Sequence, residues 1–240
     1  SMSQLDLKGR IVWVTGSGRG IGRAIALSLA AHGAHLVLSA RTISDIEAVA
    51  QEITNQGGQA VAMPCDVRHP DQVKRVVVAV ERTHGPIEVL VNNAGVAIFG
   101  KIVDTSESDW DLMMETNVKG AFLCSQAVLP GMIERKSGHI INMVSVAGRT
   151  PYYNNAGYCA SKYGLLGFTD VLRMEARKHG IRVTSLMPGA TDTLIWGDAD
   201  VDNTRMMPAD EIAQAVTAIL LTGESAMMEE VVIRPLGGDL

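Results

Sequence analysis

Six short apolar runs, at residues 10–15, 35–40, 60–65, 87–91, 140–144 and 181–187, alternate along this chain with stretches of helical periodicity. A shorter run at 230–234 follows, and Pro235 after it suits a strand at a sheet edge. The runs are apolar at consecutive positions rather than at every second one. Each strand is therefore buried on both faces, as in a parallel sheet covered by helices on either side. The helical stretches fall at 22–32, 43–55, 70–83, 107–132, 156–179 and 209–221. Of these, 107–132 reads as one long helix or two joined ones, with Asn117 inside. The expected fold class is α/β: one doubly wound parallel sheet of seven strands with helices on both faces.

No linker, repeat or shift in composition interrupts this alternation, so residues 1–240 are expected to form one domain. Residues 1–6 read as an N-terminal tail in which Ser1-Met2 resembles a tag-cleavage scar, and no signal peptide is evident. Hydrophobic residues make up 47% of the chain and aromatics only 4%, so the core is expected to be Val, Ile, Leu, Ala and Met. No apolar run reaches the length of a membrane span. A net charge of −5 without a basic stripe argues against nucleic acid as a partner. Cys65, Cys124 and Cys159 form no C-x-x-C pair, which suits a reduced, cytoplasmic setting. Cys159 reads as packing. The six histidines show no metal-ligand spacing and read mostly as surface or helix-end residues, so no metal is expected.

Between the first strand and first helix lies Thr15-Gly-Ser-Gly-Arg-Gly-Ile-Gly22. Gly16, Gly20 and Gly22 let the backbone turn tightly and approach a diphosphate, which the following helix N-terminus attracts. With Ser17, Arg19 and Ile21 they form a candidate dinucleotide-binding turn. At the end of the second strand, where an acidic residue would bind the ribose hydroxyls of NAD, stand Ala40 and Arg41. Arg19 and Arg41 would together favour a 2′-phosphate, so NADP(H) is expected as cofactor, with NAD(H) as the alternative.

A second chemical feature runs from Ser145, after the fifth strand, to Lys162. Tyr158 and Lys162 are four apart and share a helix face. A neighbouring ammonium favours the phenolate and would lower the Tyr158 pKa, making it a general acid or base. Ser145 would hydrogen-bond the same substrate oxygen.

Taken together, Thr15-Gly-x-x-x-Gly-Ile-Gly22, Asp66, Asn92-Asn93-Ala94-Gly95, Asn117, Ser145, Tyr158-x-x-x-Lys162 and Pro188-Gly189 resemble the short-chain dehydrogenase/reductase family, over residues 7–238. The resemblance implies a Rossmann fold and an NAD(P)-dependent oxidoreductase. It implies that Tyr158 protonates the carbonyl oxygen, Ser145 polarises it, Lys162 lowers the Tyr158 pKa and binds the nicotinamide ribose, and Asn117 anchors a proton-relaying water. It further implies that Asp66 and Val67 contact the adenine, that Asn92, Ala94 and Gly95 line the cofactor's path, and that Pro188, Gly189, Thr191 and Thr193 bracket the nicotinamide. The family commonly forms homotetramers, with a homodimer as the alternative, through the helices at 107–132 and 156–179.

Within the family the chain looks most like 3-oxoacyl carrier-protein reductases and other small carbonyl reductases. The substrate would then be a small molecule or an acyl thioester. Val146, Ala147, Tyr152, Tyr153, Ile195 and Trp196 are the candidate substrate contacts. Arg135, Lys136, Lys178 and His179 are the candidates for a basic patch at the cleft mouth, should an acidic carrier protein dock there. Oxidation of a small alcohol or hydroxy acid, and a non-catalytic nucleotide-sensing role, are the alternatives.

Overall fold

The computed structural model describes residues 7–196 and 202–239. Its main sheet has seven strands: β1 (Ile11–Thr15), β2 (His35–Ser39), β3 (Gln59–Ala62), β4 (Val89–Asn92), β5 (His139–Met143), β6 (Arg182–Pro188) and β9 (Glu230–Ile233). They pair in parallel in the order β3-β2-β1-β4-β5-β6-β9. The chain winds outward from β1 to β3, then returns to lay β4 against the other side of β1. That reversal opens a crevice beyond the C-terminal ends of β1 and β4, where such sheets bind ligands.

Helices α1 (Gly20–Ala31), α2 (Ile43–Asn55) and α7 (Ala209–Leu220) cover one face. Their Ile25, Leu29, Ile46, Ile53, Ile212 and Val216 bury against Leu36, Leu38 and Val91. Helices α3 (Pro70–Thr83), α5 (Gly120–Arg135) and α6 (Ala156–Arg177) cover the other, where Val73, Val80, Val128, Met132 and Leu172 meet Leu90 and Ile140. Each such side chain removed from water stabilises the fold by about 1.5–3 kcal/mol. The core is aliphatic with one exception. Trp13 in β1 is wholly buried, and its indole N–H reaches Ser39 Oγ at 2.9 Å.

The stretch 107–132 is two helices. α4 (Glu107–Met114) and α5 are joined by a π turn at Glu115–Lys119, where an i→i+5 pattern inserts one extra residue. Gly120 then packs so close to Val67 that an added Cβ would lie 2.5 Å from its Cγ2. The polar stretch before α7 is tied at its ends by a two-residue parallel pair, β7 (Thr191–Asp192) with β8 (Met207–Pro208). No helix among the described residues is long and apolar enough to cross a membrane.

His139 departs from the expected surface position. It is fully buried at the start of β5, with Nε2 2.9 Å from Thr184 Oγ1. Thr184 donates its own hydroxyl proton to the Met228 carbonyl, so the imidazole must be the donor at Nε2. Nδ1 has no partner. Burial, with Arg182 and Arg10 nearby, lowers the His139 pKa from 6.5 to about 3. Below pH 6.5 the unfolded chain therefore binds a proton that the native chain refuses. The neutral imidazole's contribution is complete above that pH and is lost progressively between 6.5 and 3. We expect His139→Gln to flatten the pH dependence of unfolding free energy over this window, by about 3 kcal/mol at pH 4.5. Urea melts at pH 7.5 and 4.5 measure it, and an unchanged difference between the two would exclude His139 as the cause.

Candidate active site

Ser145 lies two residues beyond β5, at φ 115° and ψ 153°. This region of backbone space is essentially reserved for glycine, and holding a serine there costs about 1–3 kcal/mol. The conformation turns Oγ back over the short Val146–Gly148 turn, where it accepts from Ala147 N at 3.1 Å. The chain then crosses a loop and enters α6, which carries Tyr158 and Lys162 one turn apart.

Lys162 is buried, and its Nζ donates to the Met143 carbonyl at 2.8 Å. Nζ lies 5.5 Å from the Tyr158 ring centroid. Burial lowers the Lys162 pKa from 10.5 to about 8. The Tyr158 pKa is not lowered as the spacing suggested. Burial raises it, with Ser145 hydroxyl hydrogen bonding the principal opposing influence. The ammonium is turned toward the Met143 carbonyl, and a phenol whose pKa is raised above its ordinary value of 10 keeps its proton at neutral pH. That is the state a proton donor needs.

Asn117 sits buried in the π turn. Its Nδ2 donates to the Val96 carbonyl and to Ser161 Oγ, each at 2.9 Å, and its Oδ1 accepts from Val96 N at 2.8 Å. These bonds hold the loop after β4 against α6. Gly95 is wedged between, for an added Cβ would lie 3.3 Å from Asn117 Oδ1 and 3.9 Å from Lys162 Nζ.

Two cavities meet at this point, of about 300 and 460 Å³. Ile21, Asn93, Gly95 and Thr193 line both. The larger runs along the glycine turn. Gly16 takes φ 63°, and a Cβ there would strike Ala94 Cα at 2.8 Å. Gly22 packs directly under the turn, where a Cβ would fall 2.1 Å from the Gly16 carbonyl oxygen. The first turn of α1 carries no acidic residue and no side-chain cap, so its N–H groups point outward unsatisfied. Gly20, Arg19, Ala94, Asp66, Val67 and Arg41 also line this cavity.

Three expected cofactor contacts are placed elsewhere or engaged otherwise. Asn92 is buried away from both cavities, donating to Asn142 Oδ1 at 2.8 Å and Ser125 Oγ at 3.2 Å. Asn93 takes the place expected for it, bonding the Thr15 and Gly16 carbonyls at 3.2 and 3.1 Å. Successive side chains at a strand end point to opposite faces, which is the signal that separates the two asparagines. Ser17 is buried with Oγ directed to the Ser39 carbonyl, tying the turn to β2. Asp66 reaches the cavity, but its carboxylate accepts from Arg68 Nη2 at 2.7 Å and Nε at 3.0 Å, which lowers its pKa.

The smaller cavity is lined by Ser145, Tyr158, Lys162, Pro188, Gly189, Thr191 and Thr193. Val146, Ala147, Tyr152, Tyr153, Ile195 and Trp196 all line it as well. Sequence reasoning missed Phe99, which stacks on Trp196 at 5.6 Å between centroids and 17° between planes. It missed Asn155 and Asp239 too; the Tyr152 hydroxyl donates to Asp239 Oδ2 at 3.3 Å. No local pattern in the sequence brings these distant segments together.

Arg135, Lys136, Lys178 and His179 do not converge on the cleft. They end α5 and α6, which run antiparallel to the strands, so they gather at the opposite edge of the sheet. Arg135 bonds the Ile87 carbonyl just ahead of β4, and Gly180 packs on the Lys136 carbonyl. Their placement is that of ordinary helix ends and excludes a basic patch built from them at the cavity mouth.

A model of the short chain dehydrogenase family matches residues 10–203. The chain belongs to the short-chain dehydrogenase family. Members of this family similar to it include the sepiapterin reductase of Chlorobaculum tepidum, 37% identical over 96% of this chain and 98% of that protein. A metagenomic short-chain oxidoreductase solved in complex with NADP is 37% identical, with a TM-score of 0.85 over 95% of this chain and 98% of its own. An actinorhodin polyketide ketoreductase variant solved with NADPH is 29% identical, with a TM-score of 0.88 over 94% and 96% of the two chains. The parallel seven-strand sheet and its flanking helices are those of this short-chain dehydrogenase fold, and the chain is a short-chain oxidoreductase of the NAD(P)-dependent kind.

Proposed function

We propose that this short-chain dehydrogenase reduces a small carbonyl compound with NADPH. The observation that carries the reading is the convergence of Ser145, Tyr158 and Lys162 in the smaller cavity, which shares Gly95 and Thr193 with the larger. The residues of the larger cavity suit a phosphorylated dinucleotide: a glycine turn in which a Cβ on Gly16, Gly18 or Gly22 would collide, an uncapped helix N-terminus for a diphosphate, and Arg19 with Arg41 at the ribose end. The dinucleotide supplies the hydride. Tyr158 gives its proton to the carbonyl oxygen, and Ser145 holds that oxygen by a second hydrogen bond as charge develops on it. Lys162, held by the Met143 carbonyl, supports the nicotinamide ribose, and Asn117 keeps the proton path behind it in place. Asp66 and Val67 at the adenine, and Pro188, Gly189, Thr191 and Thr193 at the nicotinamide, complete the assignment.

The Phe99–Trp196 stack and the tyrosines at 152 and 153 form a wall that suits a carbonyl borne on a flat ring. The similarity to a sepiapterin reductase points the same way. A 3-oxoacyl thioester is the second reading, favoured by the likeness to a polyketide ketoreductase. Arg135, Lys136, Lys178 and His179 lie too far from this mouth to meet an acidic carrier protein there. Initial rates with NADPH on sepiapterin, an acetoacetyl thioester, a diketone and an aldehyde decide between them. Inactivity on every carbonyl, with turnover of a secondary alcohol by NADP, would reverse the proposed direction. The enzyme would work in the cytoplasm as a homotetramer, for which exposed Phe122, Tyr163, Val171 and Met174 on α5 and α6 offer an apolar surface.

For the cofactor, Arg41→Ala is expected to raise KM for NADPH by about tenfold or more, the scale of one charge-assisted hydrogen bond. KM for NADH should change less than about twofold. Equal effects on both would remove the 2′-phosphate reading.

A further inference from the structure

The lip of the larger cavity carries one carboxylate that the catalytic reading leaves unused. Asp45 stands in the first turn of α2 and lines the cavity beside Arg19, Arg41 and Thr42. Its Oδ2 accepts from Arg19 Nη2 at 2.7 Å. The pair is well placed rather than casual. A Cβ on Gly18 would lie 2.7 Å from Asp45 Cβ, so the turn needs glycine at that position for α2 to approach at all. Asp45 N bonds back to the Thr42 carbonyl at 3.2 Å, fixing the carboxylate over the turn. Asp66, the other carboxylate in this lining, is taken up by Arg68. Arg41 has no ion-pair partner among the described residues.

We propose that Asp45 is a specificity-determining residue that limits discrimination between the phosphorylated and unphosphorylated dinucleotide. The inference rests on the cofactor site proposed above. A 2′-phosphate carries nearly two negative charges and must draw on Arg19 and Arg41 together. Arg19 is already paired, so the phosphate shares it with Asp45 and sits within reach of a like charge. Both effects weaken the phosphorylated cofactor. With the unphosphorylated cofactor neither applies. Arg19 keeps its partner, and the carboxylate is left facing ribose hydroxyls that can donate to it. Arg19 is 61% exposed at its side chain and Asp45 31%, so the charge acts through partial solvent and the effect is moderate.

The test is direct titration of NADPH and NADH into wild type, Asp45→Asn and Asp45→Glu, followed by nucleotide fluorescence at two salt concentrations. Asp45→Asn is expected to tighten NADPH by about three- to tenfold and leave NADH unchanged or weaker, with NADPH binding becoming more salt-sensitive. Asp45→Glu keeps the charge and should hold the wild-type ratio of the two affinities within about twofold. An unchanged ratio in Asp45→Asn, or a ratio moved toward NADH, overturns the proposal. Failure of the wild type to bind either dinucleotide would instead overturn the cofactor site, so the two readings fail separately.

Discussion

Replacing Tyr158 by Phe is expected to lower kcat for carbonyl reduction by about 10³-fold while leaving NADPH affinity within about twofold. The substitution removes one oxygen and keeps the ring that lines the cavity beside Lys162. What is lost is the proton. Burial holds the phenol protonated at neutral pH, and no neighbour is placed to substitute for it. The Lys162 ammonium is directed at the Met143 carbonyl. Asp239 is held by Arg234 and Tyr152 at the outer wall. Ser145 would still hold the substrate oxygen, but a serine hydroxyl is too weak an acid to replace the phenol as proton donor. Single-turnover rates and fluorescence titration separate chemistry from binding. A fall confined to cofactor affinity, with kcat preserved, would make Tyr158 a binding residue and move the acid elsewhere.

The fold was legible because its determinants are local. A strand buried on both faces announces itself by consecutive apolar residues, and a glycine turn between such a strand and a helix marks the crevice. The site was legible only where function and local pattern coincide. Tyr158 and Lys162 lie one helical turn apart, so spacing alone places them together. Phe99 and Trp196 meet only because two loops converge above the sheet, and no periodicity encodes that contact. His139 falls among histidines that read mostly as surface or helix-end residues, yet Thr184 on the neighbouring strand provides a partner that permits its burial. The four basic residues ending α5 and α6 look like a patch when the chain is read linearly. In a parallel sheet every helix C-terminus lies at the edge away from the ligand, which is enough to exclude them from the mouth. The effect of burial on Tyr158 was hidden for a related reason. Sequence spacing reveals that a lysine is near, not which carbonyl its ammonium has chosen.

Ser145→Gly and Ser145→Ala together separate what the serine does for chemistry from what its backbone costs the fold. Both remove the hydroxyl that opposes the raised Tyr158 pKa and that would hold the substrate oxygen, so both should lose about 10²–10³-fold in kcat. Only glycine relaxes the backbone at φ 115° and ψ 153°. Alanine retains the strain, and both variants lose the bond from Ala147 N. Glycine gives back part of its advantage through the greater freedom of the unfolded chain, about 0.5–1 kcal/mol against a relief of about 1–3 kcal/mol. The glycine variant should therefore be more stable than the alanine variant by about 1 kcal/mol in urea denaturation, at equal loss of activity. Equal stabilities would mean that the surroundings of Ser145 hold the loop in this conformation whatever residue occupies it. The expected result has a mechanistic consequence. If glycine is the more stable of two equally inactive replacements, the fold bears strain at this position to aim a hydroxyl at the reacting oxygen. The hydroxyl's position is then set before substrate arrives, so none of the substrate's binding energy is needed to move it into place.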